Sequence, residues 1–225
     1  MSRMRQGCHA RRPVARDSVQ DGQMSEFDAK AADWDTPERI EHARHFADAV
    51  RAHVPLRPDW RAIDVGAGTG LLGLHLREDL AELVLADPSA GMVATAQAKI
   101  DAAGLEDVRA IRFDVTDPPP DGAPFDLVVS LLMLHHVKDT EAALRAVSAM
   151  LVRGGWMGLI DLDEEDGSFH DPDQEGIHHR GFSRARLEQL AAAIGFTAVA
   201  TSIVGEIERE NGRAYPLFLL TGQRG

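Results

Sequence analysis

The run Ile63-Asp64-Val65-Gly66-Ala67-Gly68-Thr69-Gly70-Leu71-Leu72 is an apolar strand that turns through three alternate glycines into a helix, and it constrains this chain more than any other feature. Ala62 to Val65 reads as a buried strand. Gly66, Gly68 and Gly70 permit positive φ and leave out the Cβ atoms where a backbone must approach a ligand closely. Leu71, Leu72, Leu74 and Leu76 suit a helix packed on a sheet, and the free amides at its start form a polar ligand site. The pattern implies an open α/β sheet that holds a nucleotide-type ligand.

Spacing separates two kinds of glycine turn. The dinucleotide fingerprint places Gly or Ala three positions after its second glycine, to pack helix on strand beside a pyrophosphate. Here that position is Leu71, which argues against a dinucleotide. The stretch from Asp64 to Gly70 instead resembles the acidic-x-Gly-x-Gly-x-Gly signature of class I S-adenosylmethionine-dependent methyltransferases. Four further segments resemble that family in order: Leu83-Val84-Leu85-Ala86-Asp87-Pro88-Ser89, Ile111-Arg112-Phe113-Asp114-Val115, Phe125-Asp126-Leu127-Val128-Val129-Ser130 with Leu134-His135-His136-Val137, and Leu151-Val152-Arg153-Gly154-Gly155-Trp156. The resemblance covers residues 25–222.

The resemblance implies S-adenosyl-L-methionine as cofactor and S-adenosyl-L-homocysteine as product. It assigns cofactor binding to Asp64, Gly66, Ala67, Gly68, Gly70, Asp87, Pro88, Met92, Asp114, Val115 and Ser130, with Asp87 on the ribose hydroxyls and Asp114 on the adenine amino group. Local chemistry offers other readings. Asp87 before Pro88 also suits a turn that caps the next helix, and Asp114-x-x-Asp117 also suits a loop.

Composition narrows the rest. With 225 residues and 44% hydrophobic content, the chain can bury one substantial α/β core. No apolar run approaches the roughly 18 residues of a membrane span, and the expectation is a cytoplasmic protein with no membrane partner. Cys8 is the single cysteine, so neither a disulfide framework nor thiol catalysis is expected. Residues 1–23 carry five arginines against two aspartates, +3 within a chain of net charge −12, which leaves the remainder at −15. This basic segment is expected to be a disordered extension upstream of a start at Met24. An acidic body offers no stripe of cations for phosphate, so nucleic acid is not an expected partner. The loop at Ser130-Leu131-Leu132-Met133 also lacks the Asn/Asp-Pro-Pro-aromatic motif of family members that modify base amino groups. A small-molecule acceptor is expected; the sequence does not indicate the oligomeric state.

The expected domain covers residues 24–225, with a lid or cap over 24–60 and a Rossmann-like core over 61–225. Thr36 and Pro37 start an amphipathic helix continued by Ile40, Ala43, Ala47 and Val50. Phe27, Trp34 and Phe46 are lid or pocket residues in the family reading and core residues otherwise. Strands at 82–86 and 108–113 flank a helix at 89–103, a proline-rich loop follows, and a helix at 140–151 leads to a strand at 155–162. Ser183 opens a last helix stopped by Gly195, and segments 196–204 and 214–221 close the chain. The fold class is α/β: a doubly wound, mostly parallel sheet of about seven strands with an antiparallel edge hairpin and helices on both faces. Every loop that follows a parallel strand then lies on one edge, where such sheets bind ligands.

Methyl transfer is an in-line displacement, so alignment and, for a hydroxyl or amine, a general base are what an enzyme supplies. His135 and His136 follow the fourth strand. The acid run Asp161-Leu162-Asp163-Glu164-Glu165-Asp166-Gly167-Ser168-Phe169-His170 follows the fifth, with His178 and His179 beyond. His135, Asp161 and His170 are the candidate catalytic residues; Phe27, Trp34, His136, His178 and His179 are the candidate substrate or lid residues. An acid run is otherwise a solvated loop. No compact metal-ligand spacing occurs, so no metal is expected. The expected activity is methylation of an O, N or S nucleophile on a small molecule, a thiol or dithiol metabolite being the specific guess from a bacterial subgroup the chain resembles. The alternatives are a nicotinamide-dependent oxidoreductase and a binding subunit without turnover.

Overall fold

The computed structural model describes residues 27–171 and 173–225. The basic segment 1–23 and the start at Met24 lie outside the described residues. Residues 27–30 form a helical turn, followed by a 3-10 turn at Ala31–Asp33 and by helix α1 (Pro37–His53). The core then runs β1 (Arg61–Val65), α2 (Leu71–Leu76), β2 (Glu82–Asp87), α3 (Ala90–Ala103), β3 (Val108–Arg112) and β4 (Phe125–Leu131). It continues through α4 (Thr140–Met150), β5 (Leu151–Leu162), α5 (Arg184–Ile194), β6 (Phe196–Glu208) and β7 (Ala214–Arg224).

The seven strands form one sheet in the order β3-β2-β1-β4-β5-β7-β6. The first five are parallel and β7 is antiparallel to both its neighbours. Strand β1 sits centrally, with Ile63 beside Val84 on one side and Val128 on the other. Its side chains alternate between faces, as the two-residue period of a strand requires. Ile63 and Val65 join a core with Phe113, Val128, Leu144, Val147 and Leu187, under α4 and α5. Ala62 faces the other core, with Phe46, Leu72, Leu85, Ile100, Leu127 and Val129, under α1, α2 and α3. Phe46, read from the sequence as lid or core, is a core residue.

Local chemistry sets the helix starts. Thr36 accepts the amide of Arg39 at 3.3 Å, Ser89 that of Met92 at 3.1 Å and Asp139 that of Ala142 at 2.9 Å; each satisfies a donor that the first helical turn leaves open.

Three strands are longer than their apolar patterns. β5 starts at Leu151 because Gly154 and Gly155 form an irregularity inside the strand, across which the register with β4 shifts, where the sequence suggests a turn before it. β6 and β7 pair out to Glu208 and Arg224. Backbone hydrogen bonding does not depend on side-chain polarity, so an exposed hairpin extends past its hydrophobic residues. Among the described residues no helix is long and apolar enough to cross a membrane.

Candidate active site

The loops after β1, β2, β4 and β5 converge on one edge of the sheet. In the first, Gly66, Gly68 and Gly70 have φ of +69°, +56° and +85°. A Cβ on Gly66 would stand 2.5 Å from Cγ of Met133, so close approach as well as left-handed backbone demands glycine there. The amides of Gly66 and Ala67 both donate to Ala86 O, at 2.8 and 3.0 Å, which ties the loop to β2.

At the end of β2, Asp87 accepts Gly68 N at 2.8 Å through Oδ2 and Ser89 N at 2.9 Å through Oδ1. Burial raises its carboxyl above the usual range against these two donors, and Asp28 and Asp114 add to the rise. Asp64 accepts Gly73 N at 2.9 Å through Oδ2, whereas its buried Oδ1 has no partner. Burial pushes this carboxyl up to about 7. Ser130, fully buried at the end of β4, also has a hydroxyl without a partner. Around the glycine loop there are therefore a carboxylate on two amides and two buried polar atoms that a polar ligand would satisfy. Met92 is buried; its sulfur would lie 3.9 Å, and Trp34 Nε1 3.7 Å, from a Cβ on Gly68. Asp114 accepts the amide and hydroxyl of Thr116 at 2.8 and 2.7 Å through one oxygen, close enough to Asp87 to act on its charge. Pro88 accepts Arg112 Nε at 3.0 Å, and Val115 is buried.

The segment before α1 crosses this loop. Asp28 Oδ1 accepts the Ser89 hydroxyl at 2.5 Å and Gly91 N at 2.7 Å, which hold its carboxyl below the usual range. Asp35 accepts the Thr69 hydroxyl at 2.5 Å and Lys99 Nζ at 2.7 Å. Two anchors thus fix the strap to the start of α3 and to the glycine loop, with Trp34 above Gly68. The Phe27 ring centre is 5.8 Å from that of Trp34 and 5.6 Å from that of His136.

His136 opens onto a histidine cluster. Ring centres of His135 and His136 are 4.1 Å apart, His135 and His170 5.0 Å, and His136 and His170 6.0 Å. His135 Nδ1 lies 2.8 Å from Asp161 Oδ1, both side chains being 1% exposed. Asp161 also accepts the amides of Leu134, His135 and Leu162. Burial alone would raise its carboxyl; the His135 ring and, after it, the Leu162 amide outweigh it and hold the group below the usual range. A carboxylate beside Nδ1 fixes the proton there and leaves Nε2 as the basic nitrogen of the neutral ring. That nitrogen is buried and has no partner. Burial, then the adjacent His135, pushes His136 down to about 3 and His170 to about 4, so both rings are neutral near pH 7.

The rest of the acid run is structural. Glu165 Oε2 accepts the amides of Gly167, Ser168 and Phe169. Asp166 pairs with Arg213 at 2.8 Å, and Asp163 with Arg184 at 3.2 Å. Asn211 donates to Ser168 O at 3.0 Å, so the β6-β7 turn is locked onto this loop. His178 and His179 do not join the cluster through their rings in the same way: their amides both donate to His135 O, at 3.0 and 3.2 Å. The His179 ring is engaged by Val137 O at 3.0 Å and the Thr140 hydroxyl at 3.2 Å. Asp28, Asp35, Thr69 and Lys99 had no role in the sequence reading. Asp28 and Asp35 find their partners 34 to 64 positions away, beyond the reach of a local pattern.

Among the described residues no group of three or more His, Cys, Asp or Glu is placed to hold a metal ion. A surface depression of about 520 Å³, lined by Arg51, His75 and Lys99, includes neither the glycine loop nor the His135-Asp161 pair. Convergent side chains therefore define the site better than surface shape.

A family model described as a methyltransferase domain matches residues 63–157. The ubiquinone biosynthesis O-methyltransferase of Parvibaculum lavamentivorans is 30% identical over 168 residues, 67% of this chain and 65% of that protein. The chain thus spans about two thirds of that relative's length. The Haloferax volcanii methyltransferase solved in complex with the Trm112 methyltransferase activator shares 22% identity over 88% of this chain and 97% of its own, with a TM-score of 0.74. The 1,6-didemethyltoxoflavin-N1-methyltransferase of Burkholderia thailandensis shares 22% identity over 96% and 93%, with a TM-score of 0.71. At these identities the two solved structures establish likeness of fold.

Proposed function

This chain belongs to the class I S-adenosylmethionine-dependent methyltransferases, and from that premise we propose that it methylates a hydroxyl oxygen of a small molecule with His135 as general base. The observation that carries this reading is the His135-Asp161 pair, whose buried Nε2 is unpartnered on the same sheet edge as the glycine loop. A base within reach of an acceptor hydroxyl contributes typically 10²–10⁴-fold to such a transfer.

Asp87 would hold the ribose hydroxyls, Asp114 the adenine amino group, and Asp64 and Ser130 have the unsatisfied oxygens for the cofactor's polar end. When bound, the cofactor supplies a methyl carbon on a sulfonium sulfur, which keeps the electron pair of the broken bond as the acceptor oxygen bonds to carbon. The protein's own part is to align the acceptor between Trp34, Phe27 and the histidine cluster, and to take its proton on His135 Nε2. Asp161 keeps Nδ1 protonated and stabilises the ring once it is charged. The O-methyltransferase relative supports an oxygen acceptor. A thiol, already partly ionised near neutral pH, would need such a base least.

Isothermal titration with S-adenosylmethionine, S-adenosylhomocysteine and NADH tests the cofactor assignment, and an acceptor screen comparing phenols, amines and thiols tests the nucleophile. Binding of the two sulfur ligands that weakens in Asp87→Ala, with transfer to phenols abolished in His135→Gln, is the expected outcome. Binding of NADH alone, or transfer to thiols that is indifferent to His135→Gln, would overturn it.

A further inference from the structure

Two arginines stand at the ends of the aromatic arc that lines the site. Arg39, in the first turn of α1, lies with its guanidinium carbon 4.1 Å over the Trp34 ring and donates Nη1 to Trp34 O at 3.0 Å. Arg209, just past β6, lies 4.9 Å over the Phe169 ring and donates Nε to Phe169 O at 3.1 Å. Between them the arc is continuous: Trp34, Phe27, His136, His170 and Phe169 follow one another at ring-centre distances of 5.8, 5.6, 6.0 and 4.7 Å. β6 runs beside α1, with His45 Nε2 2.7 Å from Val204 O. Burial, and next the charge of Arg209, pushes the Arg39 guanidinium below its ordinary value, while Glu38 and Asp35 act in the opposite sense.

Neither arginine has a carboxylate within ion-pair distance among the described residues, although most other arginines in the structure do. Asp35, the nearest candidate for Arg39, is engaged by Thr69 and Lys99. Each guanidinium uses one nitrogen on a backbone carbonyl and stacks on a ring, an arrangement that fixes the plane of the fork and leaves further N–H donors for a ligand. In a chain of net charge −12, two exposed cations stacked on rings of the arc and without carboxylate partners have N–H donors open to an anionic ligand.

We propose that Arg39 and Arg209 form an oxyanion clamp and that the methyl acceptor is a small organic acid, held by a carboxylate or phosphoryl group separate from the oxygen that is methylated. The proposal rests on the methyl-transfer reading and refines its acceptor. The β6-β7 turn would place Arg209 because Asn211 and Arg213 lock that turn to Ser168 and Asp166. The structural acids of the loop after β5 thus serve the clamp indirectly. The neutral His136 and His170 add no charge between the clamp and His135.

The test uses the full chain loaded with S-adenosylhomocysteine for binding, and with S-adenosylmethionine for turnover. The probes are 4-hydroxyphenylacetate, 4-hydroxybenzylphosphonate and the uncharged 4-hydroxyphenylacetamide, against wild type, Arg39→Gln, Arg209→Gln and the double variant. At least one acid is expected to bind about tenfold or more tighter than the amide, with a correspondingly lower KM. The double variant is expected to abolish that preference while S-adenosylhomocysteine affinity is retained. The ratio of phosphonate to carboxylate affinity identifies which oxyanion the clamp suits. Acids that bind no better than the amide, including no binding by any of them, or a preference that survives in the double variant, would overturn the clamp. Failure of the methyl-transfer reading shows separately, as loss of the S-adenosylhomocysteine titration in the wild type.

Discussion

His135 presents Nδ1 to Asp161 Oδ1 at 2.8 Å, and the pair is closed off from solvent with both side chains 1% exposed. The two residues are 26 positions apart, His135 in the turn after β4 and Asp161 at the end of β5, and those strands are direct neighbours in the sheet. Parallel pairing brings the ends of adjacent strands to the same edge, so a histidine after one and an acid at the end of the other meet without any further device.

Asp161→Asn is expected to lower kcat by about 10²–10⁴-fold by removing the charge that fixes the tautomer. The affinity for S-adenosylhomocysteine should stay near the wild-type value, since Asp161 is remote in sequence and contact from the glycine loop. Steady-state kinetics beside calorimetric titration separates the two quantities; an equal loss of cofactor affinity and kcat would point to a structural role instead.

Asp64 should make stability fall as pH rises. Its folded-state pKa of about 7 lies above the ordinary aspartate value of 3.8, so the folded state binds the extra proton between those values. The contribution is fully present below about pH 4 and is lost as pH climbs through about 7. Asp87, also raised, acts in the same direction, whereas the lowered pKa values of His136 and His170 act against it over much of that range. The clean observable is therefore a difference: the thermal midpoint of Asp64→Asn minus that of wild type should grow between pH 4 and 7 and level off above. A difference that is flat with pH would mean Asp64 keeps an ordinary pKa.

Gly66→Ala is expected to cost about 1–3 kcal/mol of stability, from a φ of +69° combined with a Cβ placed 2.5 Å from Met133 Cγ. Because Met133 is itself a buried core residue, the comparison is made in the Met133→Ala background, where the collision is relieved but the backbone strain stays, so Gly66→Ala should cost less there than in the wild type by chemical denaturation without becoming neutral. A neutral result there would assign the whole effect to the side-chain collision.

Asp35→Ala removes one of the two anchors of the strap, releasing the Thr69 hydroxyl and Lys99 Nζ. If the strap covers the cofactor, S-adenosylhomocysteine should dissociate several-fold faster with a smaller change in its association rate. Stopped-flow displacement measures both. Unchanged dissociation would mean that the strap does not govern exchange.

Much of the architecture was legible in the sequence because it rests on short-range physics. The glycine turn, the apolar strands on either side of it, the helix start at Thr36 and Pro37, and the stop at Gly195 are each recognisable within a few residues. Their order, strand and helix in alternation, allows few sheets, and the observed one is among them. The extents of β5, β6 and β7 were not legible, since strand length depends on a hydrogen-bonding neighbour and not on polarity, and β5 continues through an irregularity at its glycines.

The site divides along the same line. Asp64, Asp87, His135 and Asp161 stand out in sequence because each sits at or beside the end of an apolar strand, where chemistry in such folds collects. Their charge states were decided only by packing: burial raises Asp64 and Asp87, while the His135 ring and the Leu162 amide hold Asp161 down. The acid run looked uniform along the chain, and tertiary contacts divided it, turning Asp161 toward His135 and Asp166 toward Arg213. Arg39 and Arg209 are 170 positions apart, and nothing local connects them. The sequence by itself determined the cofactor loop and the order of the sheet, because backbone conformation and hydrophobic periodicity are local. Only the tertiary structure decided which polar groups are satisfied and which are left facing a ligand, because that depends on what the fold brings within about 3 Å.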